Sequence, residues 1–402
     1  MSINIISTDI TSPEFKANPF PYYAHLRADS PVHLAYLNRS TPVYLITRYD
    51  DVIASLKDER LVKERRSAQP ETVRDHWMPD FARAFERNML DRDPPDHGRL
   101  RALVHKAFTP RLMQKMSGRV EAIAGELLDA AAQKHSFDLI ADFALPLPVV
   151  VISDMLGVDK KDYGKFTRWS NELTTVTSRT DGIWKLPTIW QFARFIRGMI
   201  RDRRSNPKDD LTTALVQAEE HGDQLTEEEA MGMLLLLLVA GHETTVNLIG
   251  NGMVALFENP DQLNALRSNP SLIRTGVEEL LRFGSPVERA TERYAAEDIT
   301  MHGVTIPRGH LVQAVLASAN RDETQFANPD MLDLARDPNK HVAFGMGIHY
   351  CLGAPLARME GQIAINMLLE RMPNLRLATD VSKLQWRKSG FLRGLKALPV
   401  AQ

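Results

Sequence analysis

Between Thr226 and Pro260 the chain reads as one unbroken helix. Thr226-Glu-Glu-Glu229 is a capping box, in which the threonine hydroxyl accepts from the first turn and Glu229 reaches back to the threonine N–H. The helical pattern runs to Phe257, and Asn259-Pro260 stops it. About 30 residues at 1.5 Å of rise span ~45 Å, enough to cross a whole domain. Whatever this chain builds is therefore organised around one central helix. Its most apolar run, Ala230 to Gly241, falls short of the ~20 residues a bilayer core demands, and His242-Glu243 follow at once. A buried core helix is expected, with no membrane span.

Other segments add helices and a small sheet. Pro21 to Arg27 reads as a short amphipathic helix, and Pro42 to Thr47, apolar and β-branched, as a strand. Asp50 is expected to cap a helix over Asp51 to Lys57. Asp93-Pro94-Pro95 is a helix start, with prolines in a first turn that needs no N–H donor. Most of residues 112–285 has helical periodicity. From Tyr294 to Val312 the period shortens toward two, broken by Gly303 and Pro307-Arg-Gly309, which predicts short strands. The expected class is mainly α with a minor β-sheet.

A length of 402 residues suggests two or three domains, yet no linker or fixed-period repeat marks a boundary. With a net charge of −2, nothing in the totals points to a nucleic-acid or membrane surface. One cysteine excludes an internal disulfide, and the N-terminus lacks a signal peptide's basic start and apolar stretch. These features describe a cytosolic enzyme or binding protein with a large core.

That cysteine sits in Phe344-Gly-Met-Gly-Ile-His-Tyr-Cys-Leu-Gly353. An isolated cysteine is ordinarily a small buried hydrophobe. Here Gly345, Gly347 and Gly353 allow a tight backbone that turns N–H donors toward the sulfur, and a helix expected from Ala354 adds its N-terminal dipole. In Ala240-Gly-His-Glu-Thr-Thr245, midway along the long helix, Gly241 costs ~1 kcal/mol relative to alanine. Thr244 and Thr245 can bond back to carbonyls and bend the helix. By itself that hexapeptide could be a helix turning its polar side to water. Glu279-Leu-Leu-Arg282 places opposite charges at i,i+3, usually a solvated pair. His97 and Arg101 lie at i,i+4, so an external anion would suit two potential cations on one face.

Together these motifs resemble the cytochrome P450 family. The cysteine loop matches every fixed position of the haem-binding pattern Phe-Gly-x-Gly-x-His-x-Cys-x-Gly, and Ala240 to Thr245 matches the oxygen-activating segment. The resemblance implies a triangular, helix-rich single domain over 1–402 with a long central helix. It implies haem b, with Cys351 as the iron ligand, Phe344 in its loop, and His97, Arg101, Arg293 and His349 toward the propionates. Ala240 and Gly241 would leave room for O2, while Glu243 and Thr244 form an acid–alcohol pair that delivers protons. Glu279 and Arg282, joined by Arg336, become a buried structural triad. Met331-Leu332 departs from the Arg-Phe usual nearby.

The implied reaction is reductive activation of O2 and insertion of one oxygen atom into an apolar substrate. NAD(P)H electrons would arrive through a ferredoxin or flavodoxin with its reductase; Arg99, Lys106, Arg111 and Lys340 are either a basic docking face for it or ordinary scattered surface cations. The expected enzyme is a cytoplasmic monomer that binds neither nucleic acid nor membrane. By family topology, its pocket draws on residues 62–92 and 168–192, Leu237, Ala240, Val287, Ala290, Thr291, Phe391 and Leu392. A peroxygenase and a haem-thiolate sensor are the rival roles, and neither needs the Glu243-Thr244 relay.

Overall fold

The protein is described by a computed structural model over residues 8–70, 87–174, 186–220 and 222–402. Parts of the two expected pocket segments, 71–86 and 175–185, lie outside the described residues, as does the side chain of Arg111. The long helix occupies Glu227–Glu258. Its capping box closes as read: Thr226 N donates to Glu229 Oε2 at 2.9 Å, and Glu229 N to Thr226 Oγ1 at 3.2 Å. By length and composition alone this helix could cross a membrane, but 61% of its most apolar window is buried inside the protein.

Compact packing divides the chain into two units, neither a contiguous segment. One comprises Met1–Val73, Ala124–Leu145 and Thr244–Gln402; the other comprises Arg74–Ile123 and Pro146–Glu243. The long helix contributes its first half to the second unit and its second half to the first.

The first unit carries a five-stranded sheet. Val32–Leu37 pairs antiparallel with Thr41–Ile46, which runs parallel to Leu311–Ala314. That strand pairs antiparallel with Arg293–Ala295, which pairs with Leu61–Val62. The 294–312 region is thus the set of short strands its shortened period predicts, with a hairpin at Ile299–Met301 and Val304–Ile306. Ile46, Val52, Leu61, Ala295, Ile306 and Val312 form a buried cluster over the sheet. Helices Ile273–Gly284 and Ala354–Arg371 pack together in the same unit. In the second unit, helices Asp96–Ala107, Pro146–Leu156, Tyr163–Thr174, Leu186–Ser205 and Leu211–Gln217 pack as a cluster.

Two helix starts differ from expectation. The helix expected to be capped by Asp50 spans Tyr49–Lys57, with Arg48 at the cap position. Its first amide, Tyr49 N, donates to Asp322 Oδ2 at 2.8 Å. A carboxylate distant in sequence satisfies the orphan donor that local reasoning gave to Asp50. After Asp93, both prolines precede the helix, which runs Asp96–Ala107, and the Asp93 carbonyl accepts from His97 N at 2.9 Å.

Candidate functional site

The cysteine loop is built from the first unit. Gly345 and Gly347 hold φ of +69° and +74°, the left-handed region that disfavours side chains. Cys351 N donates to the Phe344 carbonyl at 3.0 Å, and Tyr350 N to the Gly347 carbonyl at 3.1 Å, so Phe344, His349 and Cys351 share one tight loop. It opens directly into the Ala354–Arg371 helix, whose N-terminus favours negative charge on the sulfur. The thiol is half-buried.

This loop is braced from behind. Arg358 donates to Glu278 at 2.7 and 2.9 Å and lies 4.5 Å over the Phe344 ring, while His341 meets Glu278 at 3.0 Å. Burial alone would raise the Glu278 carboxyl, but the His341 and Arg358 hydrogen bonds outweigh it and bring the pKa to about 2. The neighbouring Glu279 is buried as expected. Arg282 holds both its oxygens at 2.7 and 2.8 Å, and Arg336 adds bonds at 3.1 and 3.2 Å. Arg282 also donates to the carbonyls of Asn320 and Pro329, both at 2.8 Å. The pair is a buried knot tying the chain before the cysteine loop, and the Met331 departure leaves it intact because only its carbonyl takes part.

The pocket residues read from the first unit's sequence come together in part. Val287 bridges Leu392, and the amides of Glu288 and Arg289 both donate to the Phe391 carbonyl. Ala290 N donates to the Ala314 carbonyl. Thr291 instead engages Lys63, whose Nζ lies 2.5 Å from its hydroxyl and 2.8 Å from the Glu292 carbonyl. Arg293 is buried, donating to the carbonyls of Leu61 at 3.0 Å and Leu56 at 3.2 Å. Lys63 was missed as a candidate. Its only sequence signal is a lysine directly after the apolar pair Leu61-Val62, which becomes meaningful once that strand pairs with Arg293–Ala295.

On the long helix, Leu237, Ala240, Gly241 and Thr244 fall at i, i+3, i+4 and i+7, one stripe. Ala240 is exposed and the other three are half-buried, as is Glu243, whereas Leu238, His242 and Thr245 on the adjoining stripe are buried. Thus the helix is closed on one side and open on the other at its middle. His242 Nδ1 lies 2.7 Å from the Leu238 carbonyl.

In the second unit, His97 is buried and Arg101 half-buried on the Asp96–Ala107 helix. Arg101 lines an open depression of about 440 Å³ with Gly98, Ala102, His105 and Lys106. Arg99 faces elsewhere and pairs with Glu229 and, at 3.2 Å, with Asp223. Lys106 donates to the Glu219 carbonyl at 2.6 Å. Of the residues expected for a docking face, Arg99 is thus engaged in part-exposed ion pairs with Glu229 and Asp223.

Several glycines test whether a flat cofactor fits. A Cβ added at Gly345, Gly353 or Gly98 would meet no protein atom within 4 Å, and at Gly241 only Ile152 at 3.6 Å, an ordinary contact. Protein packing therefore leaves room at these positions, although the positive φ of Gly345 favours glycine by itself. The single thiol in a glycine loop at a helix N-terminus is a donor that would suit a haem iron.

A cytochrome P450 profile matches residues 18–373. The chain belongs to the cytochrome P450 family. The P450 is 44% identical over 392 residues to the polyketide biosynthesis cytochrome P450 PksS of Bacillus subtilis (strain 168), covering 96% of each protein. The PksS structure superposes with a TM-score of 0.91 over 97% of this chain and 98% of that one. The cytochrome P450 monooxygenase PikC of Streptomyces venezuelae is 42% identical over 391 residues, 96% of this chain and 92% of its own. The structure of P450BioI in complex with hexadec-9Z-enoic acid ligated acyl carrier protein matches with a TM-score of 0.88 at 39% identity, over 97% and 100% of the two chains. This P450 is a monooxygenase of a haem-iron family, with the helix-rich fold and minor sheets of its relatives.

Proposed function

We propose that this P450 places one atom of O2 into an apolar small molecule, using haem b held by Cys351. The observation that carries the reading is the glycine-framed thiol loop that opens into the Ala354–Arg371 helix. Bound there, haem supplies the redox chemistry of oxygen activation. His97, Arg101, Arg293 and His349 hold its propionates, joined by Lys63 beside Thr291. Phe344 and the loop amides shield the sulfur. Ala240 and Gly241 keep a small space clear above the ring. The Thr244 hydroxyl holds a water within that space, and Glu243 passes it a proton from solvent.

Leu237, Val287, Ala290, Thr291, Phe391 and Leu392 exclude water and orient the substrate. PksS is named for polyketide biosynthesis, and P450BioI binds an acyl chain on a carrier protein. A long polyketide-like or acyl substrate is the first class to try. Electrons come from NAD(P)H through a separate ferredoxin or flavodoxin and its reductase. The whole chain, 1–402, acts as one catalytic domain in a cytoplasmic monomer without membrane or nucleic-acid contacts, the long helix being a core element.

The test couples the enzyme to a surrogate ferredoxin and reductase under ¹⁸O2 with a library of such compounds. One ¹⁸O per product, matched to NADPH consumed, is expected. Conversion with hydrogen peroxide alone, and none with the electron donors, would make it a peroxygenase.

A further inference from the structure

Lys16, on the short Pro13–Ala17 helix, is fully buried, and its Nζ lies 2.9 Å from Glu288, which is buried as completely. An ion pair wholly out of water is expensive unless further groups complete it. Tyr23 OH donates to the other Glu288 oxygen at 2.6 Å, and Arg289 Nε stands 3.6 Å from that same atom. Arg289 also donates to the Ile10 carbonyl at 3.2 Å. Arg393 closes the cluster from the C-terminal side, donating to the carbonyls of Lys16 at 2.9 Å, Ala17 at 3.2 Å and Gly284 at 3.1 Å, with its guanidinium 3.8 Å over Trp386.

Lys16 and Arg289 thus flank one carboxylate, with the Arg393 guanidinium close enough to add its charge. Burial pushes the Lys16 ammonium down, Glu288 resists, and Arg289 and Arg393 push further, leaving it at about 7.

The backbone of Glu288 belongs to a different neighbourhood. Its N–H and that of Arg289 donate to Phe391 O at 2.9 and 3.1 Å, and its carbonyl accepts from Ala317 N at 2.9 Å. Val287 just before it bridges Leu392. One short extended segment therefore carries the buried cluster on Glu288 and Arg289, and candidate pocket side chains on Val287 and Ala290.

We propose that Lys16 is a positioning residue for the substrate pocket: through Glu288 it holds the 287–290 segment against Phe391–Leu392 and so sets the wall an apolar substrate meets. This rests on the reading of Val287, Ala290, Phe391 and Leu392 as that wall.

The coupling has a sign. Opening the cluster returns Lys16 toward its ordinary value of 10.5, so above pH 7 the open form takes up a proton that the closed form lacks. The closed form therefore gains on the open one as pH rises from about 7 toward 10.5, and below 7 the balance is flat.

Amide hydrogen exchange on the holoenzyme between pH 6 and 9, corrected for intrinsic rates, reads this directly. Protection at 287–292 and 391–393 should be flat below pH 7 and rise by up to about tenfold per pH unit above it. Lys16→Met and Lys16→Arg should both abolish the slope, the second because a guanidinium keeps its proton. A flat wild-type profile, or a slope that survives in Lys16→Met, overturns the proposal. So does a loss of protection spread evenly over the Glu227–Glu258 helix, which would mark a purely structural lysine. Val287→Phe tests the wall separately: carbon monoxide should bind the reduced enzyme several-fold more slowly. An unchanged rate overturns the wall assignment and the pocket role with it, even where exchange shows that Lys16 holds the 287–290 segment.

Discussion

Cys351 and Thr244 make separable predictions because one is proposed to hold the iron and the other to hold a proton path. Cys351→Ala should lose the strongly red-shifted Soret band of the reduced carbon monoxide complex, since no other thiol exists in the chain. Thr244→Ala should keep haem content, that spectrum and substrate affinity, while more NADPH electrons leave as hydrogen peroxide. A variant as tightly coupled as wild type would remove Thr244 from the relay. Glu360 is a third residue of interest, fully buried on the Ala354–Arg371 helix. Burial raises its carboxyl to about 8, against a weaker opposing hydrogen bond from Thr245. The folded protein thus holds a proton that the unfolded chain releases near 4.5. The resulting stability is full below that value and is lost as pH rises toward 8. Thermal melts at pH 5 and pH 8 should show Glu360→Gln gaining on wild type at the higher pH; parallel melts would mean that Glu360 is ionised throughout.

Among elements, the cysteine loop separates strain from steric room. A Cβ at Gly347 would sit 2.8 Å from the Leu56 carbonyl, whereas at Gly345 it meets no protein atom within 4 Å. Both positions have positive φ, which costs an ordinary residue ~1–2 kcal/mol. Gly347→Ala should therefore destabilise the apoprotein more than Gly345→Ala, whereas Gly345→Ala should show its further cost in haem retention. Equal melting temperatures in the two apoproteins would contradict this. The elements also show why some features were readable and others were not. Thr226 and Glu229 meet within one helical turn, so spacing alone identified their cap. The loop glycines and Cys351 are likewise local. Asp322 caps Tyr49 across the chain, Arg99 finds Asp223 and Glu229, and Lys63 finds Thr291; such pairings exist only after the sheet and helices have assembled. Helical period likewise shows that the long helix is buried, but not that its Ala240 stripe is open while its His242 stripe is closed.

For the whole molecule, length suggested sequential domains, yet the two compact units interleave along the chain, so no single cut would release either. Haem binding is the expected global consequence of one helix: if Arg101 holds a propionate as proposed, Arg101→Ala leaves that charge partly unpaired, at a cost below the ~3–5 kcal/mol of a fully buried pair because the arginine is half-buried. Faster haem transfer to apomyoglobin and a lower melting temperature should follow, with the product unchanged. Wild-type values for both would remove Arg101 from the propionate site.

The interleaving also has a timetable. Thr41–Ile46 waits for Leu311–Ala314 to complete its sheet, and Tyr49 waits 273 residues for Asp322. At roughly 5–20 residues per second on the ribosome, that delay is about 14–55 s. Throughout it, the strand edge that Leu311–Ala314 will cover stays open to other nascent chains. A ribosome stalled anywhere before residue 311 therefore holds a sticky intermediate, and slow synthesis is a hazard for this protein before haem arrives.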